Sequence, residues 1–335
     1  MRTRVLGRTG IEVTTFGLGC AMLGVRMGEV NERAGVEIVA TAMKAGVRLL
    51  DVAALYPAVM SGKSEQIVGQ ALKENPELAK KVVVETKVGH LPEGFDYTYD
   101  MTMRGVAGSL ERLQVDHIPI IYIHDAPKEG FDRVMGKGGT LEALRKLQSE
   151  GVIGHIGTAS NLPENNIVYI ETGEFEAAVI PEFYSLLNQL ATERVFPAAE
   201  KFNMGLVVAT PYETGLLAVG VDRFFSLPER DTRRRFSKEC LDHVRDIEAI
   251  CARYGVSLAA ASLQYILRHP QVTAVIPSAR DTNELRANLR ASVERAPDDF
   301  WAEIAPLLRH WDAEEHRWPA ETDRKGLATP GGSID

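Results

Sequence analysis

Val82-Val83-Val84-Glu85-Thr86-Lys87 is a short, mostly β-branched run that stops on an ionisable side chain. It is too short for a typical helix and largely apolar at its centre, the pattern of a strand covered on both faces. With Val82–Thr86 as one member, seven further runs of this kind punctuate the chain: Thr14–Gly19, Arg48–Asp51, Pro119–Ile123, Ile153–Thr158, Ala177–Pro181, Gly205–Thr210 and Val272–Ile276. Helical periodicity fills the spaces between them. Glu32–Ala45 puts Gly35, Ile38, Val39 and Ala42 on one side, and Thr140–Gln148 repeats Leu141, Leu144 and Leu147. Asp242–Tyr254 and Ser257–Arg268 form a longer helical region after the seventh strand. Eight strands alternating with helices predict parallel crossovers. The count of eight favours a closed (β/α)8 TIM barrel over an open doubly wound sheet. No long linker divides the chain, so residues 1–317 read as one barrel domain with a C-terminal helix. Residues 318–335, rich in Pro, Gly, Thr and charge, read as a flexible tail. Pro92–Asp100 and Val219–Lys238 read as long loops.

The 335 residues would suit two ordinary domains or one barrel of about 250 residues with insertions. There are 38 Lys and Arg against 46 Asp and Glu, a net charge of −8. A mildly acidic chain without a basic tract is a poor partner for nucleic acid or an anionic membrane. No apolar run approaches the ~20 residues needed to span a bilayer. Met1–Val5 lacks the apolar core of a signal peptide, so a cytoplasmic location is expected. Cys20, Cys240 and Cys251 are far apart with no C-x-x-C, against a disulfide scaffold or zinc ribbon and in keeping with a reducing compartment.

Several motifs fail on inspection. Gly17-Leu18-Gly19 continues as Cys20-Ala21-Met22, so the third glycine of a dinucleotide fingerprint is missing, and no helix opens there. A tight turn at the mouth of the first strand is expected instead. Gly62-Lys63-Ser64 resembles the end of a phosphate loop, but Pro57 stands where the earlier glycine is required. An exposed turn with Ser64 capping the next helix is expected. There is no H-x-x-x-H, no H-E-x-x-H and no G-x-S-x-G, so no metal site and no nucleophile elbow are expected.

The informative pattern lies at the strand ends. Asp51 closes Leu49-Leu50-Asp51, Lys87 closes the third strand, and His124 closes Ile120-Ile121-Tyr122-Ile123-His124. In a parallel barrel these ends converge on one mouth, where active sites sit. Tyr56, five residues after Asp51, leaves the same mouth. A free Tyr has a pKa of ~10 and a free Lys ~10.4; an ammonium beside a phenol favours the phenolate, so Lys87 is expected to lower the Tyr56 pKa. Asp51 can hold Lys87 charged, and His124 can bond a substrate oxygen. Such a site moves a proton on or off oxygen. It has no electrophile of its own, so a cofactor must carry the difficult step.

Asp51, Tyr56, Lys87 and His124, in that order and spacing, resemble the catalytic tetrad of the aldo-keto reductases. The resemblance extends through Leu6-Gly7-Arg8-Thr9-Gly10, Ser64-Glu65, Ser109-Leu110-Glu111-Arg112-Leu113, Lys146 to Ile153, and Ile276-Pro277-Ser278-Ala279-Arg280 followed by Asn288. It implies a barrel that binds NADP or NAD without a Rossmann fold, with Tyr56 as general acid/base, Asp51 and Lys87 as its tuning pair, and His124 as orienter. It implies Ser160 and Asn161 at the nicotinamide carboxamide, and Leu217, Ser278, Arg280, Glu284 and Asn288 along the pyrophosphate and adenine side. A planar guanidinium at Arg280 suits a phosphate, while an ion pair of Arg280 with Asp281 or Glu284 is the open alternative. The family's common Gln after the sixth strand is replaced by Pro181, and its stacking Tyr falls near Ala209. Both departures, with Tyr184-Ser185-Leu186-Leu187, Pro211 to Leu217, Lys87-Val88-Gly89 and Tyr99-Asp100, resemble the aldose 1-dehydrogenase branch. His90 after Gly89 and Pro57 after Tyr56 differ from that branch. The implied reaction is NAD(P)-dependent oxidation of an aldose or related cyclic hemiacetal to a lactone; the alternative is an NADPH-dependent aldehyde or ketone reductase. The implied partner is a small sugar or carbonyl compound.

Overall fold

The structure, a computed structural model, describes residues 1–57, 61–91, 94–227 and 236–311. The tail expected at 318–335 and parts of both expected loops lie outside the described residues. Eight parallel strands form one sheet: β1 (Leu18–Gly19), β2 (Leu49–Asp51), β3 (Val83–Val88), β4 (Ile118–His124), β5 (Ile153–Ala159), β6 (Ala177–Pro181), β7 (Gly205–Ala209) and β8 (Val272–Ile276), each paired with its sequence neighbour. Parallel bridges Phe16↔Val275 and Gly19↔Ser278 join the two edges. There the Val275 amide donates to the Thr15 carbonyl at 2.9 Å, and the Gly17 amide to the Val275 carbonyl at 2.9 Å. The ring is closed, which leaves no unpaired edge strand.

Closure explains the two early glycines differently from the turn expected at Gly17-Leu18-Gly19. A Cβ on Gly17 would lie 2.8 Å from Ile276 Cγ2, and one on Gly19 would lie 2.7 Å from the Ile276 carbonyl oxygen. Glycine is needed there because β8 approaches the backbone at the seam. The first strand is also shorter than expected. Glu12–Thr14 pairs antiparallel with Thr3–Val5, and this hairpin puts Leu6 and Val13, both fully buried, into the same cluster as the barrel interior.

Strand residues alternate between two cores, as a period of two requires. Leu49, Ile120, Tyr122, Val179, Val207 and Ala274 fill the barrel. Leu50, Ile121, Ile123, Ala178, Val208 and Val275 face the larger core beneath the helices. That outer layer consists mainly of α1 (Glu32–Lys44), α2 (Lys63–Glu74), α3 (Tyr99–Leu113), α4 (Thr140–Ser149), α5 (Pro163–Ile170), α6 (Val195–Lys201), α7 (Lys238–Tyr254), α8 (Leu258–Arg268) and α9 (Thr282–Val293). Short polar side chains start several of them: Asn31, Thr98, Ser237, Ser257 and Asp281 each accept an amide hydrogen bond from the first turn. The expected loops are partly ordered structure. His90–Leu91 pairs with Gly94–Phe95 as a small hairpin, α3 begins at Tyr99, and Val221–Ser226 is a helix. Among the described residues no single helix is long and apolar enough to cross a membrane.

Candidate active site

The carboxyl ends of β2, β3 and β4 carry Asp51, Lys87 and His124 into the barrel mouth. Asp51 and Lys87 are 4% and 2% exposed. The Lys87 ammonium donates to Asp51 Oδ1 at 2.5 Å and to the Val52 carbonyl at 2.8 Å. Tyr56 reaches them from the loop after β2, which is tied down at both ends. The Tyr56 amide donates to the Ala53 carbonyl, and the Ser64 amide donates to the Tyr56 carbonyl at 2.9 Å. Gly62, in the left-handed region at φ 80°, precedes α2. Ser64 is not the cap expected from the sequence: fully buried, its hydroxyl donates to the Cys20 carbonyl at 2.9 Å. Lys87 Nζ lies 4.8 Å from the centre of the Tyr56 ring, and the Tyr56 and His124 rings meet edge to face at 5.7 Å. The structure therefore brings all four expected tetrad residues together.

The charge states follow from burial. Burial opposes the Lys87 charge, but Asp51 and then Tyr56 outweigh it, so Lys87 holds its proton more tightly than a free lysine. Burial holds Asp51 above the usual carboxylate range against the pull of Lys87. Burial pushes the His124 pKa down to about 3, Asp125 opposing, so the imidazole is neutral. For Tyr56 the outcome corrects the expected lowering. Burial pushes the phenol up to about 12; Lys87 pulls the other way, and Asp51 cancels part of that pull. An ammonium whose charge is already matched by a carboxylate acidifies a neighbour less than a lone one.

Further groups at this end were not singled out from the sequence. His90 Nδ1 lies 3.0 Å from Asp125 Oδ2, and the His90 and His124 rings are 5.3 Å apart. Burial alone would raise Asp125; His124, the hydrogen bond from His90 and the Asn161 amide hold it below the usual range. His90, His124 and Asp125 bring ligand-capable atoms within 4.8 Å of one another. The Tyr97 hydroxyl donates to the His124 carbonyl at 2.9 Å. Glu85, two residues before Lys87 and on the same face of β3, is fully buried and accepts from the Tyr122 hydroxyl at 2.9 Å. A period-two reading of the third strand would have placed it beside Lys87. Behind the strand, Glu65 accepts from Thr86 at 2.6 Å and from Arg112 at 2.7 Å, pinning α2, β3 and α3 together.

The expected cofactor residues fall into two groups and one outlier. Ser160 and Asn161 follow β5 directly, beside Asp125; Ser160 is buried and accepts from the Leu162 amide at 3.2 Å. Ser278, Arg280, Glu284 and Asn288 gather around the start of α9. Asn288 donates to the Ser278 carbonyl at 3.1 Å, and Arg280 pairs with Glu284 at 2.8 Å. Asp281 instead caps α9 and pairs with Arg26. Leu217 stands apart: its side chain is fully buried in the outer core and its amide donates to the Tyr212 carbonyl at 3.0 Å. Pro181 and Ala209, partners in register at the ends of β6 and β7, are small and only half-buried. A nicotinamide dinucleotide fits the chemistry of this set: amide and hydroxyl groups follow β5, and a guanidinium precedes α9. The first residues beyond β4, β6 and β7 (Asp125, Glu182 and Thr210) have φ of 52°, 69° and 55°. These are strained conformations for non-glycine residues, and all sit at the functional end.

Residues 15–309 match the Aldo/keto reductase family. The chain is similar to a pyridoxal 4-dehydrogenase of Microbacterium luteolum, at 29% identity over 90% of this chain and 96% of the relative. It is also similar to a D-threo-aldose 1-dehydrogenase of a Pseudomonas species, at 27% identity over 88% and 94%. An NADH-specific methylglyoxal reductase of Escherichia coli K12 matches at 28% identity over 87% and 93%. Among solved structures, the holo form of an aldo-keto reductase from Bacillus halodurans superposes with a TM-score of 0.77 at 26% identity, covering 95% of this chain and 99% of that one. The closed barrel, the assembled tetrad and these matches have one reading: the chain belongs to the aldo/keto reductase family of oxidoreductases.

Proposed function

We propose that the protein is an NAD(P)-dependent oxidoreductase that converts an aldose or related cyclic hemiacetal to its lactone. The observation that carries this reading is the polar ring around Tyr56: a neutral His124, and the His90–Asp125 pair 3.0 Å across, all at one mouth. A polyol offers several hydroxyls to such a ring. Aldoses and pyridoxal, the compounds in two relatives' names, both close an aldehyde onto an internal hydroxyl. In this reading Tyr56 as phenolate takes the proton of the hemiacetal hydroxyl while the adjacent C–H bond gives up its hydrogen with both electrons. The new C=O is the lactone carbonyl. The bound nicotinamide supplies the hydride acceptor. Lys87 and Asp51 hold the phenol in place, His124 bonds a neighbouring oxygen, and Ser160, Asn161 and Arg280 hold the dinucleotide.

One observation favours the second reading, a carbonyl reductase. A phenol pushed up to about 12 is protonated at neutral pH, the form that donates a proton to a reduced carbonyl, and one relative is named as a methylglyoxal reductase. The two readings separate by product and by pH. Aldoses and pyridoxal with NAD or NADP are expected to yield lactones at a rate that climbs with pH, since oxidation draws on the phenolate. Methylglyoxal reduced far faster than any lactone forms would overturn the hemiacetal reading and leave the tetrad standing.

A further inference from the structure

We propose that Glu85 is held inside the barrel as the neutral acid and donates a hydrogen bond from Oε1 to Asp51, a positioning residue that keeps the Asp51–Lys87 pair electrically balanced beneath Tyr56. The inference rests on the proton-transfer site described above. Asp51 and Glu85 are directly opposite each other across β2 and β3, and both carboxyl groups are buried at that level. Between them they face one ammonium. Lys87 directs its three donors at Asp51 Oδ1, the Val52 carbonyl and the Tyr56 hydroxyl. Glu85 takes one hydrogen bond, from Tyr122 on β4 to Oε2, and its Oε1 meets no donor. An ionised Glu85 would leave that oxygen unsatisfied in a fully buried position. A second carboxylate would also leave the interior with one negative charge too many. Two carboxyl groups sharing one site keep a proton between them, and a proton on Oε1 gives each oxygen a partner.

The groups facing Glu85 are Asp51 from β2, Lys87 from its own strand, Tyr122 from β4 and the Cys20 thiol just beyond β1. Burial first and Asp51 second push the Glu85 pKa up to about 8, with Lys87 and Tyr122 opposing. Near that pH the cluster gains a negative charge. The added charge lies next to the pair that supports Tyr56, so it raises the cost of forming the phenolate.

The test compares the wild type with Glu85→Gln and Glu85→Ala. Glutamine keeps an amide donor for Asp51 and a carbonyl acceptor for Tyr122; alanine removes both. Infrared spectra of the protein without substrate at pH 7 are expected to show a protonated-carboxyl band in the wild type that Glu85→Gln lacks. Identical spectra would overturn the proposal. The folded-state pKa lies above the unfolded value of ~4.3. The stabilisation is therefore complete below the unfolded value and lost as pH rises through about 8. Glu85→Gln is expected to lack that decline in thermal midpoint; equal slopes would overturn the proposal. With whichever aldose, pyridoxal or methylglyoxal turns over, Glu85→Gln is expected to keep kcat near neutral pH and to shift only the alkaline limb. Glu85→Ala is expected to lose about 10- to 100-fold. Glutamine as damaging as alanine would mean that a carboxylate charge is required. Tyr56→Phe, run in parallel, separates the failures: full turnover there would sink the site reading, while the infrared and stability arms still judge Glu85.

Discussion

Strands β2, β3 and β4 deliver Asp51, Lys87 and His124 to the mouth, whereas β6 and β7 end in Pro181 and Ala209. The first side is packed with buried ionisable groups, Glu85 and Tyr122 included. The second ends in the small, half-buried Pro181 and Ala209, with the buried carboxyls of Glu182 and Glu213 just beyond them. Both sides share one scaffold and one inward/outward alternation, so the contrast comes from side chains alone. Charges buried at one wall are costly unless each has a partner, so that wall is tightly cross-linked. On the opposite wall the carboxyls come after the strand ends, and Glu213 accepts from the Ser185 hydroxyl. The lesson is that the groups able to move a proton are gathered on one side of the ring, where three neighbouring strand ends bring them within reach of one another.

The sharpest way to break this contrast is Tyr56→Phe. It is expected to remove ~10²–10⁴-fold of turnover while leaving the fold and dinucleotide binding intact, because Ser160, Asn161 and Arg280 are untouched. Stopped activity with unchanged fluorescence titration of the dinucleotide would support the contrast; turnover within a few-fold of wild type would break it. Lys87→Met comes next. It strands Asp51 in a buried position, so a loss of about 3–5 kcal/mol of stability is expected, with no activity at any pH. Adding Asp51→Asn removes the stranded charge and is expected to restore much of the stability but none of the turnover. Denaturant midpoints for the wild type and these two variants check this.

Arg280→Ala probes the expected dinucleotide residues between β8 and α9. If the guanidinium holds a 2′-phosphate, NADP affinity is expected to fall by about 1.5–3 kcal/mol, toward the smaller figure since Glu284 already holds Arg280 at 2.8 Å. Equal loss for NAD would assign Arg280 to the shared adenosine portion. The smallest effect is expected from Asp281→Ala, which loses the α9 cap and the Arg26 pair. About 1 kcal/mol of stability is expected to go, with kcat unchanged because no tetrad residue is touched.

Much of the molecule was readable from the chain. The eight runs became the eight barrel strands, with the first reduced to Leu18–Gly19 and its first residue, Thr14, paired instead with Thr3 in the N-terminal hairpin. Thr140–Gln148 became a helix through Ser149. The helical region after β7 was likewise legible, since its apolar spacing needs no distant partner to be recognised. Ser64 was misread because a hydroxyl at a helix start looks like a cap, and only the approach of the Cys20 carbonyl from another strand gives it a different bond.

What the sequence by itself determined is the alternation of apolar runs and the ionisable residue at the end of three of them, because period and spacing are local properties of a chain. The tertiary structure alone decided where the protons sit. Tyr56 is pushed up to about 12 rather than down, His124 is neutral, and Glu85 lies under Asp51. Each of these outcomes depends on burial and on charges contributed by separate strands, and both exist only once the ring has closed.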